Sequence, residues 1–293
     1  MAAGGAPGPP AVLACNVYVS EGTDASVIRR ILDAASGTPG VANPYHFVDA
    51  PYGRSSFTLV SREEGPLAEC ATRVAAAAAS LLDLRAHAAT HPRLGVVDHI
   101  SCHPLGAAAV GSAARVARRV GERLGAEAGV SVLFYGAADV AAQRRLRDVR
   151  RSLRYFQGSG AGQPRWAGAV APGGGPPPDA GPREPDPRLG YCLVGAVPWL
   201  VNYNVAVRGC DMGAAREIAR RVSERGGGLP AVEAMALTHG GETEIACNLL
   251  DASASPPGAV LAAVRALAEE RGATVAGDYR IGLTPEELVA AAG

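Results

Sequence analysis

Four of the six histidines in this 293-residue chain fall within one stretch, Arg85 to Gly106 (RAHAATHPRLGVVDHISCHPLG). His87, His91, His99 and His103 share it with Arg93, Asp98 and Cys102, and Pro92 and Gly95 follow His91 closely. An ionisable ring followed by proline and glycine is the pattern of a fixed loop, where side chains that do chemistry concentrate. Three chemistries suit these residue types. His91 can serve as a lone acid–base group, with Asp49 or Asp98 as the orienting carboxylate. A zinc site drawn from His91, Asp98, His99, Cys102 and His103 is disfavoured: Pro104 and Gly106 argue against a helix there, and on a strand positions 99 and 103 lie too far apart to share one ion. No metal is therefore expected. Cys102 as a nucleophile beside His103 fails for a related reason, because neighbours on a strand point to opposite faces. Surface or helix-end histidines are the ordinary alternative to all three.

Composition narrows the choices. The balance of 28 basic and 28 acidic residues gives no drive toward nucleic acid or an anionic membrane, and no apolar run approaches a membrane span. The first residues lack a secretory or transit signal, so a cytoplasmic protein is expected. The six cysteines are widely spaced, without a C-x-x-C pair, and read as buried apolar residues. The chain has no lysine; every basic residue is arginine. That excludes a Schiff-base lysine and a Walker-type phosphate loop, and leaves arginine to clamp carboxylates or phosphates. No G-x-S-x-G elbow or dinucleotide-binding fingerprint is present.

The elements that must position His91 follow from periodicity. Residues 1–10 read as disordered. Strand Val12–Val19, helix Asp24–Ser36, strands Val41–Asp49 and Ser56–Ser61, helix Pro66–His87 and strand Val96–Ile100 spell β-α-β-β-α-β. A helix over Ala107–Ala128, strand Val130–Tyr135 and an arginine-dense helix over Asp139–Arg154 come next. Residues 158–188 have a Gly/Pro-rich composition that buries nothing, with Trp166 as the exception, and read as a mobile loop. Then the order repeats: a strand within Cys192–Val207, helix Met212–Glu224, strands Ala231–Thr238 and Glu242–Leu249 joined across Gly240-Gly241, helix Pro256–Arg271 and strand Thr274–Ile281. Helix Pro285–Ala292 closes the chain. The expected fold is α+β: two tandem ferredoxin-like (βαββαβ) subdomains, 11–187 and 188–293, with a cleft between them.

The run His91-Pro92-Arg93-Leu94-Gly95-Val96-Val97-Asp98 resembles the E-H-P-R-M-G-A-x-D motif of the formiminotransferase domain of formimidoyltransferase-cyclodeaminase. Other segments resemble that family in the same order: Cys15–Gly22 its C-V-P-N-F-S-E-G, Tyr135-Gly136 the end of its Y-L-Y-G, Asp179–Pro182 its D-F-G-P, and Val201–Val207 its A-F-N-I-N-L strand. The likeness runs from about residue 11 to the end, and the family's duplicated ferredoxin-like subdomains agree with the repeat. It implies transfer of a formimino group from N-formimino-L-glutamate to N5 of tetrahydrofolate, the co-substrate. His91 falls on the family's catalytic histidine. The folate-binding segment falls on Gly181, Pro182, Arg183, Glu184, Pro185, Asp186, Pro187, Arg188, Leu189 and Gly190, of which Arg183 and Arg188 suit carboxylates. The partners implied are folate and a glutamate-derived small molecule, and a second copy of the chain in a homodimer. Departures stand at Thr90, where the family has glutamate, at Ser152-Leu153 within Val149–Tyr155, where its I-R-x-G-E-Y loses a glycine and an acid, at Ala206, where it has asparagine, and in the charges of Arg183, Glu184, Asp186 and Arg188. No cyclodeaminase domain follows. Transfer of a formyl group in place of formimino, a folate-binding module without turnover and a His91-dependent amidine or formyl hydrolase are the alternative readings.

Overall fold

A computed structural model describes residues 10–157 and 175–293; Trp166 and most of the expected 158–188 loop lie outside them, as do residues 1–9. The first half contains β1 (Ala11–Val19), α1 (Ala25–Ala35), β2 (Val41–Asp49), β3 (Arg54–Ser61), α2 (Glu64–Leu81), β4 (Val97–Gly106), α3 (Val110–Ala128), β5 (Ser131–Gly136), α4 (Leu146–Ser152) and β6 (Tyr191–Ala196). The second contains β7 (Val201–Arg208), α5 (Met212–Val222), β8 (Val232–His239), β9 (Glu242–Leu249), α6 (Pro257–Glu269), β10 (Thr274–Ile281) and α7 (Pro285–Ala291).

Two sheets result, a mixed one ordered β2-β3-β1-β4-β6-β5 and an antiparallel one ordered β10-β7-β9-β8. In each, the first βαββαβ unit has the same antiparallel order: fourth strand, first, third, second. These are the two ferredoxin-like subdomains. The first sheet is extended by β6, parallel to β4 and β5. The division expected at 187/188 therefore does not coincide with the division between the sheets. Cys192–Val207 is two strands in two sheets, parted near Pro198, which has no N–H to offer a ladder.

Other element ends differ from periodicity because distant groups intervene. The expected helix to His87 stops at Leu81, where the Arg188 guanidinium takes the Ala79 and Leu82 carbonyls (2.8 and 3.1 Å). The Asp83 carboxylate then accepts from the Arg85 N–H (2.9 Å) and starts a separate 3-10 turn, Leu84–Ala86. β4 runs on to Gly106 because β1 pairs with it throughout, and this delays α3 to Val110. The helix expected from Asp139 begins only at Leu146. Asp139 closes a turn by accepting from the N–H groups of Ala142 and Arg144 (3.1 and 3.0 Å).

Alternation along the strands divides each sheet into an apolar and a polar face. Cys15, Val17, Phe57, Leu59, Ile100 and Cys102 lie in one core cluster with Ala71, Ala75 and Ala78 of α2, whose small side chains let helix and sheet approach closely. Asn16, Tyr18, His99, Ser101 and His103 take the opposite face. In the second sheet Val205, Val207, Ile245 and Leu249 pack with Ile218 of α5 and Val264 of α6. Asn202, Asn204, Glu244 and Asn248 alternate with them. The two polar faces meet: the Tyr18 hydroxyl donates to Asn202 Oδ1 (3.4 Å) and the Tyr52 hydroxyl to Glu244 Oε1 (2.6 Å).

The last helix closes one end of this meeting. Thr284 and Glu287 form a reciprocal capping box at the start of α7, with Pro285 in its first turn. Its Leu288 is fully buried against Val12, Ala14, Val60 and Leu105 of the first sheet. Replacing Leu288 by alanine should cost about 2–5 kcal/mol, read as a lower urea midpoint. A change under about 0.5 kcal/mol would show that α7 is not docked there in solution.

Candidate active site

The loop carrying His91 leaves the 3-10 turn and enters β4 within a few residues. Proline at 92 biases His91 to an extended backbone. Gly95 lies so close to the chain that follows the 158–174 segment that an added Cβ would sit 2.4 Å from the Tyr191 carbonyl oxygen and 2.7 Å from that of Leu189. Only glycine permits that approach. Backbone bonds from Val96 N to Leu189 O (2.9 Å) and from Tyr191 N to Leu94 O (2.9 Å) fasten it. On the other side, Ser20 holds the loop through its hydroxyl on the Gly95 carbonyl (2.7 Å) and its N–H on that of Val96 (2.8 Å). The Ser20-Glu21-Gly22 turn is a clamp on the histidine loop.

His91 has both ring nitrogens engaged. Nδ1 is 2.7 Å from the Pro92 carbonyl, which only accepts, so Nδ1 carries the proton. Arg54 Nη1 lies 2.8 Å from both ring nitrogens; with Nδ1 protonated, Nε2 holds the lone pair and is the nitrogen able to accept from it. Tyr52 presents its ring edge-on, with centroids 5.1 Å apart. Burial, then the positive charges of Arg54, Arg150 and Arg93, hold the imidazole's pKa well below the usual histidine range, against the opposing Pro92 hydrogen bond. At neutral pH the ring is a neutral base.

Neither carboxylate expected to orient His91 is its hydrogen-bond partner. Asp98, 3% exposed, accepts the Leu94 N–H (2.6 Å) and faces Arg54 at 3.7 Å and Arg150 at 4.0 Å. Asp49 accepts from the Tyr52 N–H (2.8 Å) and from His239 Nε2 (2.9 Å). The other histidines of the stretch are dispersed. His87 donates to the Gly53 carbonyl (2.8 Å), His99 lies 2.7 Å from the Tyr135 hydroxyl, and His103 reaches the carbonyls of Val197 and Pro198 (3.1 Å each). Cys102 faces the core, 3.6 Å from the sulfur of Cys15. Among the described residues no three His, Cys, Asp or Glu side chains are grouped to hold a metal ion.

The second sheet supplies groups that the sequence did not single out. Glu244, 1% exposed, accepts from the hydroxyls of Tyr52 (2.6 Å) and Tyr279 (2.8 Å) and from Asn204 Nδ2 (2.8 Å). His239 packs its ring on Tyr52, with centroids 4.6 Å apart. Thr90 donates to the Thr238 carbonyl at 2.9 Å. Tyr52, the neighbour of the His91 ring, is thus held from the far unit. The hairpin that carries His239 and Glu242 turns on Gly240 and Gly241, both at positive φ, and was legible; its reach across the cleft was not.

The segment Gly181–Gly190 meets the histidine loop only at its end. Leu189 and Gly190 are buried and pair with residues 94–96, whereas Gly181–Glu184, Asp186 and Pro187 are exposed. Gly181 packs against Gly125 of α3. Arg188 is committed to the carbonyls that end α2. Among the described residues, Ser20, Tyr52, Arg54, Pro92, Arg93 and Asp98 close round His91 and leave no space there that would admit a water molecule.

Comparison with known proteins follows this geometry. The family model for the formiminotransferase domain, N-terminal subdomain, matches residues 12–197 and so spans the first sheet through β6. A formiminotransferase cyclodeaminase-like protein of Arabidopsis thaliana is 38% identical over 281 residues, covering 94% of this chain and 94% of its own length. A glutamate formimidoyltransferase of Thermoplasma acidophilum is 29% identical over 94% of this chain and 88% of its own length. The formimidoyltransferase-cyclodeaminase of Gallus gallus is 29% identical over 94% of this chain, which spans 50% of that longer protein. With the family's matched subdomain coinciding with the sheet that carries His91, the chain belongs to the formiminotransferase family.

Proposed function

We propose that this protein transfers a formimino group from N-formimino-L-glutamate to N5 of tetrahydrofolate, with His91 as the proton shuttle. The observation that carries the reading is the setting of His91: a buried ring with Nδ1 2.7 Å from the Pro92 carbonyl and Arg54 Nη1 2.8 Å from both nitrogens, which favours a neutral imidazole protonated on Nδ1. N5 attacks the amidine carbon, forming the new N–C bond and a tetrahedral intermediate. Nε2 accepts the proton that N5 releases. The imidazolium returns it to the glutamate nitrogen as the old C–N bond breaks, leaving free glutamate and the formimino group on N5. A histidine whose protonated form is disfavoured by burial and by cations gives its proton up readily, which favours the second half of the shuttle.

Folate binding is assigned to Gly181–Gly190, supported by the bonds that join Leu189 and Gly190 to the His91 loop. Holding donor and acceptor side by side supplies the proximity contribution. A cytoplasmic homodimer, as the family resemblance implies, completes the reading, and the balanced charge gives no drive toward nucleic acid or an anionic membrane.

His91→Ala should lower kcat for formimino transfer about 10²–10⁴-fold while leaving folate affinity within a few-fold, because a proton shuttle acts mainly in the transition state. Unchanged turnover in a folded variant would end this mechanism.

The depressed pKa also places the acid limb of activity. His91 must be neutral to accept a proton, so kcat/KM, which reports the free enzyme, should hold as pH falls through 6.5 and decline only below it. An acid limb at or above pH 6.5 would contradict the buried, cation-flanked ring. Stability follows the same sign. His87 and His103 are pushed down to about 4 by burial first of all, while unfolded histidines titrate near 6.5. Between those values the unfolded chain binds more protons. Stability is therefore fully present above about pH 6.5 and is lost as pH falls toward 4, by up to about 1.4 kcal/mol per pH unit for each such histidine. Urea midpoints measured from pH 7 to 4.5 check this; a flat profile from 6.5 to 5 would refute it.

A further inference from the structure

Two guanidiniums face one carboxylate next to His91, and a third, that of Arg93, lies nearby. Arg54 and Arg150 approach Asp98 at 3.7 and 4.0 Å, both beyond hydrogen-bonding distance. Arg93, 3% exposed, donates to the His87 carbonyl (2.6 Å), and its Nε is buried without a partner. Asp98 Oδ2 and Arg150 Nε are buried and unpartnered too. Among the described residues the Arg150 guanidinium has no hydrogen-bond acceptor, and it lies 4.5 Å over the Tyr155 ring. With His91 neutral, three positive charges stand against one negative. Buried charge is costly unless it is paired. Surplus cations with unused, fork-shaped donors form a site for a planar anion.

We propose that Arg54 and Arg150 bind the α-carboxylate of the one-carbon donor, an N-substituted glutamate. This rests on the reading of His91 given above. The nitrogen that His91 protonates is bonded to the α-carbon, and the α-carboxylate is bonded to that same carbon. A cation holding this carboxylate must therefore neighbour the imidazole, and Arg54 Nη1 is 2.8 Å from it. The donor's side-chain carboxylate lies several bonds further away. The carboxylates of folate lie beyond its aminobenzoyl ring, remote from N5. Arg54 adds a coupling. As it stands, it donates to the very lone pair that the shuttle needs. A carboxylate is a stronger acceptor for guanidinium than a neutral imidazole. The arriving donor thus draws Arg54 away and frees Nε2.

Calorimetry on the full chain tests this without turnover, using three probes. N-formyl-L-glutamate carries both carboxylates, N-formyl-4-aminobutyrate lacks the α-carboxylate, and N-formyl-L-2-aminobutyrate lacks the side-chain one. Wild-type protein should bind the probe without the α-carboxylate about 10–100-fold more weakly than N-formyl-L-glutamate. Arg150→Gln should weaken N-formyl-L-glutamate several-fold and narrow the gap between these two probes, Arg54 keeping the remainder. Arg150→Lys should recover part of the discrimination, which separates a charge contact from a folding defect. Arg150→Gln should still discriminate against loss of the side-chain carboxylate. Wild-type discrimination retained in Arg150→Gln, a loss that follows the side-chain carboxylate instead, or no binding of any probe by wild type would each overturn the assignment. Intact discrimination in a protein that transfers no formimino group would sink the shuttle role of His91 and leave the carboxylate site standing.

Discussion

The Asp98 carboxylate is the group on which the active-site arrangement depends. One oxygen takes the Leu94 N–H and so fixes the backbone just after His91-Pro92. The other faces the guanidiniums of Arg54 and Arg150. Without that charge, three buried cations would oppose one another at the edge of the cleft. With it, they are held near His91, where burial first and then their charges keep the imidazole neutral. A single buried anion therefore sets the loop's shape and the electrostatics of the base it carries. That is a stronger constraint than a hydrogen bond to the ring itself, and it leaves Nδ1 to the Pro92 carbonyl.

The duplicated architecture divides the work. Both units cover one face of an antiparallel sheet with helices and leave a polar face, and the polar faces meet. The first unit provides His91, the arginines and the Leu189-Gly190 end of the segment proposed to bind folate. The second provides no group that bonds His91. It fixes Tyr52 through Glu244 and Asp49 through His239, and it anchors Thr90 on the Thr238 carbonyl. Asn204 and Tyr279 saturate Glu244 from neighbouring strands. This carboxylate is buried yet has three donors, the condition under which a buried charge persists.

What the sequence made legible was local. Two runs of βαββαβ, the Gly240-Gly241 hairpin and the His91-Pro92 loop all follow from periodicity and turn chemistry, and all are present. What it hid depends on partners far along the chain. Arg150 sits in an arginine-dense stretch that reads as a solvated helix face; only the fold turns it toward Asp98. Arg54 and Tyr52 belong to an ordinary-looking turn. The end of α2 is set by Arg188, more than a hundred positions later, and the full length of β4 by β1. The placement of β6 in the first sheet has no periodic signature at all, because a strand reads the same whichever sheet receives it.

The departures from the family's motifs gain meaning from the same electrostatics. At position 90 a hydroxyl donates to two carbonyls, Thr238 at 2.9 Å and Pro51 at 3.2 Å. A carboxylate there would set an acceptor against acceptors, so threonine suits this junction between the units and leaves the neighbouring imidazole alone. Near Arg150 the family's acid gives way to Leu153, which packs with Leu94, Tyr135 and Tyr155 in an apolar cluster. The loss of an anion beside a buried arginine raises the local positive charge, and among the described residues Asp98 is the acid whose carboxylate faces Arg150, at 4.0 Å. A protein that retains such a surplus next to a neutral base requires an anion from outside to balance it. On the reading proposed above, leucine at 153 leaves charge neutralisation to the substrate's carboxylate and does not alter the shuttle assigned to His91.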